Sequence, residues 1–293
     1  MSENVVAPRS QAEVEASVTG LAGATAPRSR RVVAGKEMPP WVGGVIGVVS
    51  VLAVWSLVSS IFFGSNGIVP TPWGVLRQFG DTGFQTYWNN LSVTTSSAAQ
   101  GWLWGNLAAI AIAVIVLLIP PLEGAANQVA VISYCIPLTA IGPIVLIVSD
   151  PGARTASIFL AAISVIFTSV VGCLLGLRAA DRTALDVVHA YGGSTWTALV
   201  KVRLIAALPN VFGALKLAAP ASFLGAVLGE YLGGVDSGIG IMIIAAQTNL
   251  RYAQIWGLAI LCGLIAGLAY VVIGLVAKLL TPWSSTGERK AGL

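Results

Sequence analysis

Groups able to make or break bonds are sparse in this chain, and their spacing excludes most chemistry. His189 is the single histidine, so neither a Ser-His-Asp triad nor a histidine metal cluster can be assembled around it. It reads as a solvated loop residue. Cys135, Cys173 and Cys262 stand in three separate apolar stretches without CxxC spacing, which points to small buried hydrophobes rather than metal, redox or disulfide roles. No paired carboxylates, and no nucleophile with its base, can be picked out, and the sequence holds no Walker A motif. We expect no catalytic residue, no metal site and no cofactor on this chain.

The strongest functional signal is a polar interval running Arg182-Thr-Ala-Leu-Asp-Val-Val-His-Ala-Tyr-Gly-Gly-Ser-Thr-Trp196. Its chemistry specifies two short helices. Thr183 and Asp186 have capping-box spacing, Gly192-Gly193 suit a left-handed helix end, and Ser194 suits the cap of the next helix. Leu185, Val188 and Tyr191 share one stripe of the first helix, an apolar knob that invites a protein partner. The plainer alternative is a solvated loop whose capping is incidental.

At these residues the sequence resembles the membrane subunits of binding-protein-dependent ABC importers, of the nitrate/sulfonate/taurine type. Their loop runs Glu-Ala-Ala, three residues, Gly, nine residues, Ile, one residue, Leu-Pro. Here Asp186 stands at the Glu, Val187 and Val188 at the alanines, Gly192 at the Gly, Val202 at the Ile, Leu204 at the Leu and Ile205 at the Pro. Similarity continues in Leu208-Pro209, Gly213-Ala-Leu-Lys216, Gly229-Glu230 and Ser237-Gly-Ile-Gly240, and covers about residues 68 to 283. The resemblance implies that the loop is a coupling helix seated on a separate ATPase, through Asp186, Val187, Val188, Tyr191, Gly192 and Leu204. It implies as partners a pair of ATP-binding subunits carrying ATP and Mg, a second permease copy or homologue, and an extracytoplasmic substrate-binding protein. The solute would be small, anionic or zwitterionic, such as nitrate, a sulfonate or taurine; related permeases carry pyrimidine-type vitamin precursors. On this resemblance Gly192→Asp is expected to leave the chain inserted while uncoupling ATP hydrolysis from uptake.

Composition dictates what must position this loop. Of 293 residues, 56% are hydrophobic and only 10% charged, too little charge to clothe a soluble globule of this size. Lipid must cover much of the surface. The net charge of +4 does not signal nucleic acid, because the basic residues form no patch with interleaved aromatics. A crossing helix needs roughly 20 apolar residues, and six stretches qualify: about 41–63, 91–119, 125–148, 153–177, 209–232 and 255–280.

Orientation follows from Lys and Arg, which cytoplasmic loops retain. With the N-terminus inside, Arg9, Arg28, Arg30, Arg31, Lys36, Arg178, Arg182, Lys201, Arg203, Lys278, Arg289 and Lys290 are cytoplasmic, twelve of the 16, against Arg77, Arg154 and Arg251 outside. Trp41 and Trp283 then mark the inner interface, Trp73 and Trp88 the outer one. The expected fold is all-α, with six transmembrane helices, both termini cytoplasmic and the coupling helix between the fourth and fifth spans. Residues 1–40 form a mobile cytoplasmic tail rather than a cleavable signal, 41–283 the permease domain with its loop at about 178–208, and 284–293 a short cytoplasmic tail. A bacterial plasma membrane is the expected location.

Polar groups inside spans mark a path or a packing seam. Ser92, Thr95, Ser96, Gln100 and Asn106 follow helical spacing on one face of the second span, and either line the substrate route or bond to neighbouring helices. Lys216 lies about two turns into the fifth span and can snorkel to the inner interface. Glu230, the only carboxylate of that span, matches an acid of the family and suggests a gate or interface. Pro137, Gly142-Pro143 and Pro220 break their helices, for binding or for ordinary packing. Residues 237–247 are apolar but too short to cross, hence re-entrant or interfacial. An ion-coupled carrier is the competing class; it needs intramembrane acids, and Glu230 is the one available.

Overall fold

A computed structural model describes residues 40–64, 67–135, 137–150, 152–233 and 235–283. The expected cytoplasmic tails, residues 1–39 and 284–293, lie outside the described residues. Among these, every regular element is helical. The chain divides into two compact units, Met1–Val51 and Leu52–Leu293. The described part of the first is the N-terminal half of α1 (Pro40–Phe62).

The second unit continues α1 and adds ten helices. They are α2 (Pro72–Thr82), α3 (Phe84–Leu118), α4 (Glu123–Cys135), α5 (Leu138–Ile147), α6 (Thr155–Arg178), α7 (Arg182–Ala190), α8 (Thr195–Ala198), α9 (Leu204–Tyr231), α10 (Ile239–Thr248) and α11 (Tyr252–Leu280). A π-helical turn over Leu199–Arg203 joins α8 to α9, so one helical stretch runs from Thr195 to Tyr231.

Five helices are long and apolar enough to cross a membrane: Trp41–Phe62, Phe84–Leu118, Thr155–Arg178, Thr195–Tyr231 and Tyr252–Leu280. The third expected span is two helices instead, α4 of 13 residues and α5 of 10. At 1.5 Å per residue neither alone covers the roughly 30 Å of hydrocarbon. Pro137, at the N-cap of α5, explains the break, since proline has no N–H to continue a ladder.

The second and fifth spans are longer than their apolar stretches. Helix α3 begins at Phe84 rather than 91, because Gln85, Asn89 and Asn90 satisfy helical hydrogen bonds as well as apolar residues do. The α9 helix begins before Pro209, and the π turn ahead of that proline admits an extra residue into the coil. Pro220 lies inside α9 without ending it, and near it side chains of neighbouring helices bond the α9 backbone: Trp102 Nε1 donates to Leu215 O (3.1 Å) and Ser164 Oγ to Ala221 O (2.9 Å).

The centre of the bundle is α6, flanked by α3 and α9. Small residues make this possible, because helices in lipid associate by close packing rather than by a hydrophobic force. A Cβ on Gly105 would overlap Ala162 and Val165 of α6, and one on Gly229 would overlap the backbone of Ser157. Ala109, Ala113, Val170, Cys173 and Leu177 fill one apolar cluster, and Ala161, Phe223, Ile239, Leu258 and Cys262 belong to a second. Cys173 and Cys262 are buried as expected, but Cys135 is exposed. Its helix, α4, buries the stripe Ala126 and Ala130, and Cys135 falls off that spacing. The aliphatic chain of Lys216 lies against Gly274 of α11, and its Nζ sits 4.2 Å from the Tyr270 ring centroid, a cation–π contact of about 1 kcal/mol.

Candidate functional site

The polar interval folds as two short helices with a defined turn. Asp181 is the N-cap of α7, accepting from Thr183 N–H at 3.2 Å. This corrects the expected Thr183/Asp186 capping box: Asp caps as well as Thr, and the apolar stripe was compatible with either start. Asp186 is mid-helix and exposed.

The C-terminal end follows the expectation. Gly192 has φ +75, with Gly193 N–H donating to Val188 O (2.8 Å) and Gly192 N–H to His189 O (2.9 Å). That pair of bonds is a Schellman motif. The two glycines act differently. Gly192 supplies the left-handed conformation and has open space around it, whereas a Cβ on Gly193 would collide with Val188. Ser194 then accepts from Thr197 N–H at 3.3 Å, capping α8 as expected.

Helix α7 buries none of its residues and packs chiefly on α8. Leu185 and Val188 are half-buried, while Val187 is 51% exposed, Tyr191 89% and Trp196 62%. Three large apolar side chains within ten residues of an aqueous loop need a covering surface. Leu204 starts α9 and is exposed; His189 is exposed too.

A second constellation lies at the other end of α9. The Glu230 side chain is wholly buried. Its Oε2 accepts from Thr94 Oγ1 (2.8 Å) and from Gly240 N–H (3.0 Å). Ile239 N–H donates to Thr94 Oγ1 (2.9 Å), and Gly238 N–H donates to Asn90 Oδ1 (2.8 Å). The first amides of α10, which has no cap from its own N-cap residue, are therefore held by side chains of α3 and α9. A carboxylate there also complements the positive end of the helix. Gly238 (φ +141) and Gly240 leave room for this approach, since a Cβ on either would strike the Glu230 side chain. Asn90 and Thr94 were not singled out from sequence. Their four-residue spacing beside the Gly238-x-Gly240 pair was a signal, but nothing local says that the two segments meet.

The polar face of α3 divides. Ser92, Thr95 and Gln100 are exposed and Ser96 half-exposed, with Arg154 Nη1 3.4 Å from Ser96 Oγ and Gln100 Nε2 bonded to Ser96 Oγ at 3.2 Å. Thr95 lines an apolar cavity of about 400 Å³ with Trp102, Phe223 and Ile265. Asn106 leaves this set. It is buried, accepts from Ser169 Oγ of α6 at 2.5 Å and donates to Trp102 O at 2.6 Å, so for this residue the interhelical alternative holds. Among the described residues, no group of three or more His, Cys, Asp or Glu could hold a metal ion.

Known proteins resemble this chain in sequence and in fold. The chain is 28% identical over 207 residues to a "Probable ABC transporter permease protein" of Haemophilus influenzae, covering 71% of this chain and 82% of the relative. It is 27% identical over 165 residues to the riboflavin transport system permease protein RibX of Chloroflexus aurantiacus, covering 56% and 61%. Against the putative aliphatic sulfonates transport permease SsuC of Escherichia coli it is 26% identical over 237 residues, covering 80% and 89%. The sulfonate relative bears out the type of resemblance read from the loop. Among solved structures, an amino acid ABC transporter chain superposes with a TM-score of 0.55 at 16% identity, covering 70% of this chain and 96% of that one; this shows a shared fold. Residues 105–286 match as a unit, and with that span taking in α7, α9, α10 and α11, the chain belongs to the family of binding-protein-dependent transport system inner membrane components.

Proposed function

We propose that this chain is the membrane half of an ATP-driven solute importer, forming the route across the bilayer and receiving force from a separate ATPase through residues 183–209. The observation that carries the coupling reading is α7 with the turn and helix after it: α7 is fixed at both ends and has no fully buried residue, and Val187, Tyr191 at its C-cap and Trp196 of α8 are exposed. Such a helix transmits displacement without fraying, and its apolar side chains seat on the partner. ATP and Mg belong to that partner. Two ATP-binding subunits, a second permease and a delivering binding protein complete the assembly.

The orientation we assign places both termini and α7 in the cytoplasm, following the Lys and Arg distribution, in a bacterial plasma membrane. With α4 and α5 together forming the third crossing, the count is six. The solute is small and anionic or zwitterionic, as the sulfonate relative suggests; the riboflavin relative favours a heteroaromatic vitamin or precursor as the second reading. In this scheme Ser92, Thr95, Ser96 and Gln100 line the route, because exposed polar side chains on a spanning helix are unfavourable against lipid.

Cysteine accessibility tests the route. In a Cys135→Ser background, Ser92→Cys, Thr95→Cys and Gln100→Cys in the assembled transporter are expected to react with a membrane-impermeant thiol reagent, and Val54→Cys and Leu57→Cys, exposed apolar positions of α1, to resist it. Equal protection of all five would remove this face from the route.

A further inference from the structure

Between α3, α9 and α11 the chain forms a cavity of about 400 Å³, large enough for a small organic molecule. Its walls include Thr95 and Trp102 of α3, Ala219 and Phe223 of α9, and Ile265 and Val272 of α11, and no lining residue is charged. Most of its few polar groups are already engaged. Trp102 Nε1 donates to Leu215 O (3.1 Å) and Ser222 Oγ to Ala219 O (2.8 Å), which leaves the Thr95 hydroxyl. Thr95 and Val272 are exposed, so the cavity is open to a ligand.

A cation stands at one end. Lys216 lies three residues before Ala219, on the same face of α9; it is half-buried, and counting from Leu204 it is the thirteenth of the 28 residues of that helix. Its Nζ rests 4.2 Å from the ring centroid of Tyr270, and Tyr270 stands between the wall residues Ala269 and Val272. Among the described residues no carboxylate lies within ion-pair distance of this ammonium, whose electrostatic contact is the ring. Trp102, bonded to Leu215 beside Lys216, marks the cationic end of the cavity, and Thr95 is two helical turns away from it.

Apolar walls with a cation at one end select a ligand by two features. A small inorganic anion would use Lys216 and leave the walls wet, and a plain hydrocarbon would use the walls and gain nothing from the ammonium. An organic anion with an apolar body uses both. A phospholipid carries the same chemistry, but its headgroup belongs at the membrane surface, and Lys216 is about 20 Å along the axis from either end of α9.

We propose that this cavity binds a soluble organic anion, its charged head on Lys216 Nζ, its apolar body along Phe223, Ile265 and Val272, and Tyr270 holding the ammonium in place. Because Thr95 belongs to the route assigned above, the bound anion is the solute in transit, one with a hydrocarbon part rather than nitrate. That identity rests on the importer reading; the binding itself does not, and it is measured without transport.

Hexanesulfonate, ionised at any working pH, is titrated calorimetrically into the full-length chain in phosphatidylcholine nanodiscs, with empty nanodiscs as the blank. Saturable binding is expected, with sulfate and 1-hexanol each weaker by about tenfold or more. Lys216→Met should weaken the sulfonate by about tenfold, Lys216→Arg should keep it, Ala99→Phe on the cavity wall should abolish it by filling the space, and Arg251→Gln should leave it unchanged. A photoactivatable alkanesulfonate on the unaltered protein should label residues 95–102, 216–223 or 265–273, a readout independent of whether the variants fold. Indifference to Lys216, equal binding of 1-hexanol, or labelling elsewhere would overturn the proposal. So would a phospholipid that copurifies with the chain and is lost from Lys216→Met, which makes this a lipid site, or a disulfide joining two copies through Ala99→Cys in a Cys135→Ser background, which makes it an interface between permeases. Uptake by a transporter whose chain binds no sulfonate would remove this site and leave the importer reading standing; binding by a chain that does not import would do the reverse.

Discussion

Glu230→Ala is expected to detach α10 from the bundle. The substitution takes away the acceptor of Gly240 N–H in a site where the native side chain is wholly buried, while Thr94 Oγ1, which also lies 3.2 Å from Asn90 O, keeps that acceptor. One stranded donor costs about 1–3 kcal/mol, so the docked state of α10 should lose roughly fivefold to a hundredfold in its equilibrium. Amide exchange read over residues 239–242 should accelerate by that factor. Glu230→Gln keeps a carbonyl acceptor in the same place and should retain most of the protection. Uptake by the assembled transporter should fall with the loss of docking, since α10 packs on two spanning helices, α9 and α11. Unchanged exchange in the alanine variant would show that Glu230 does not hold α10.

Gly192→Asp has the opposite signature: a small structural change and a large functional one. No atom lies within 4 Å of a Cβ built on Gly192, so the cost is confined to the left-handed backbone, roughly 1–2 kcal/mol and less for Asp than for most residues. Helix α7 contributes no buried residue, so thermal unfolding of the chain should shift little. The redirected chain and the added carboxylate both fall on the surface assigned to the ATPase. We expect insertion and assembly to persist, ATP hydrolysis to continue, and uptake to be lost. Normal uptake in this variant would remove the coupling role of the loop.

What could be read from sequence was what is local. Gly192, Gly193 and Ser194 were legible because a left-handed turn and a hydroxyl cap depend on their own residues and close neighbours. The start of α7 was misplaced because Asp181 and Thr183 both make good caps, and only the fold selects one. Apolar length located the spans but not their ends: α3 continues through Gln85 and Asn89, and α9 runs back through a π turn past Pro209, since backbone bonding sets a helix limit and hydropathy does not. Pro137 was legible as an interruption, but not as a break that divides the segment into two helices. Glu230 was visible as a lone buried-span acid, yet its partners Thr94 and Gly240 come from different helices, Thr94 lying 136 residues away. No spacing rule reaches that far. Asn106 shared the helical period of the polar face and still turned inward, because Ser169 of α6 offered it a hydrogen bond.

The central claim is that α7 seats on a separate ATPase, and it is tested most directly by photo-crosslinking from its most exposed side chain. With a photoreactive phenylalanine analogue replacing Tyr191, in the transporter co-expressed with its ATP-binding subunit and the other components, the adduct should join this chain to that subunit. The same probe replacing Trp88, at the start of α3 and far along the chain from the loop, should give no such adduct. An adduct to the ATP-binding subunit from position 191 but not from position 88 is the predicted result. Its absence in an assembly that still transports, or substrate uptake by the isolated chain driven by a proton or sodium gradient, would contradict the account.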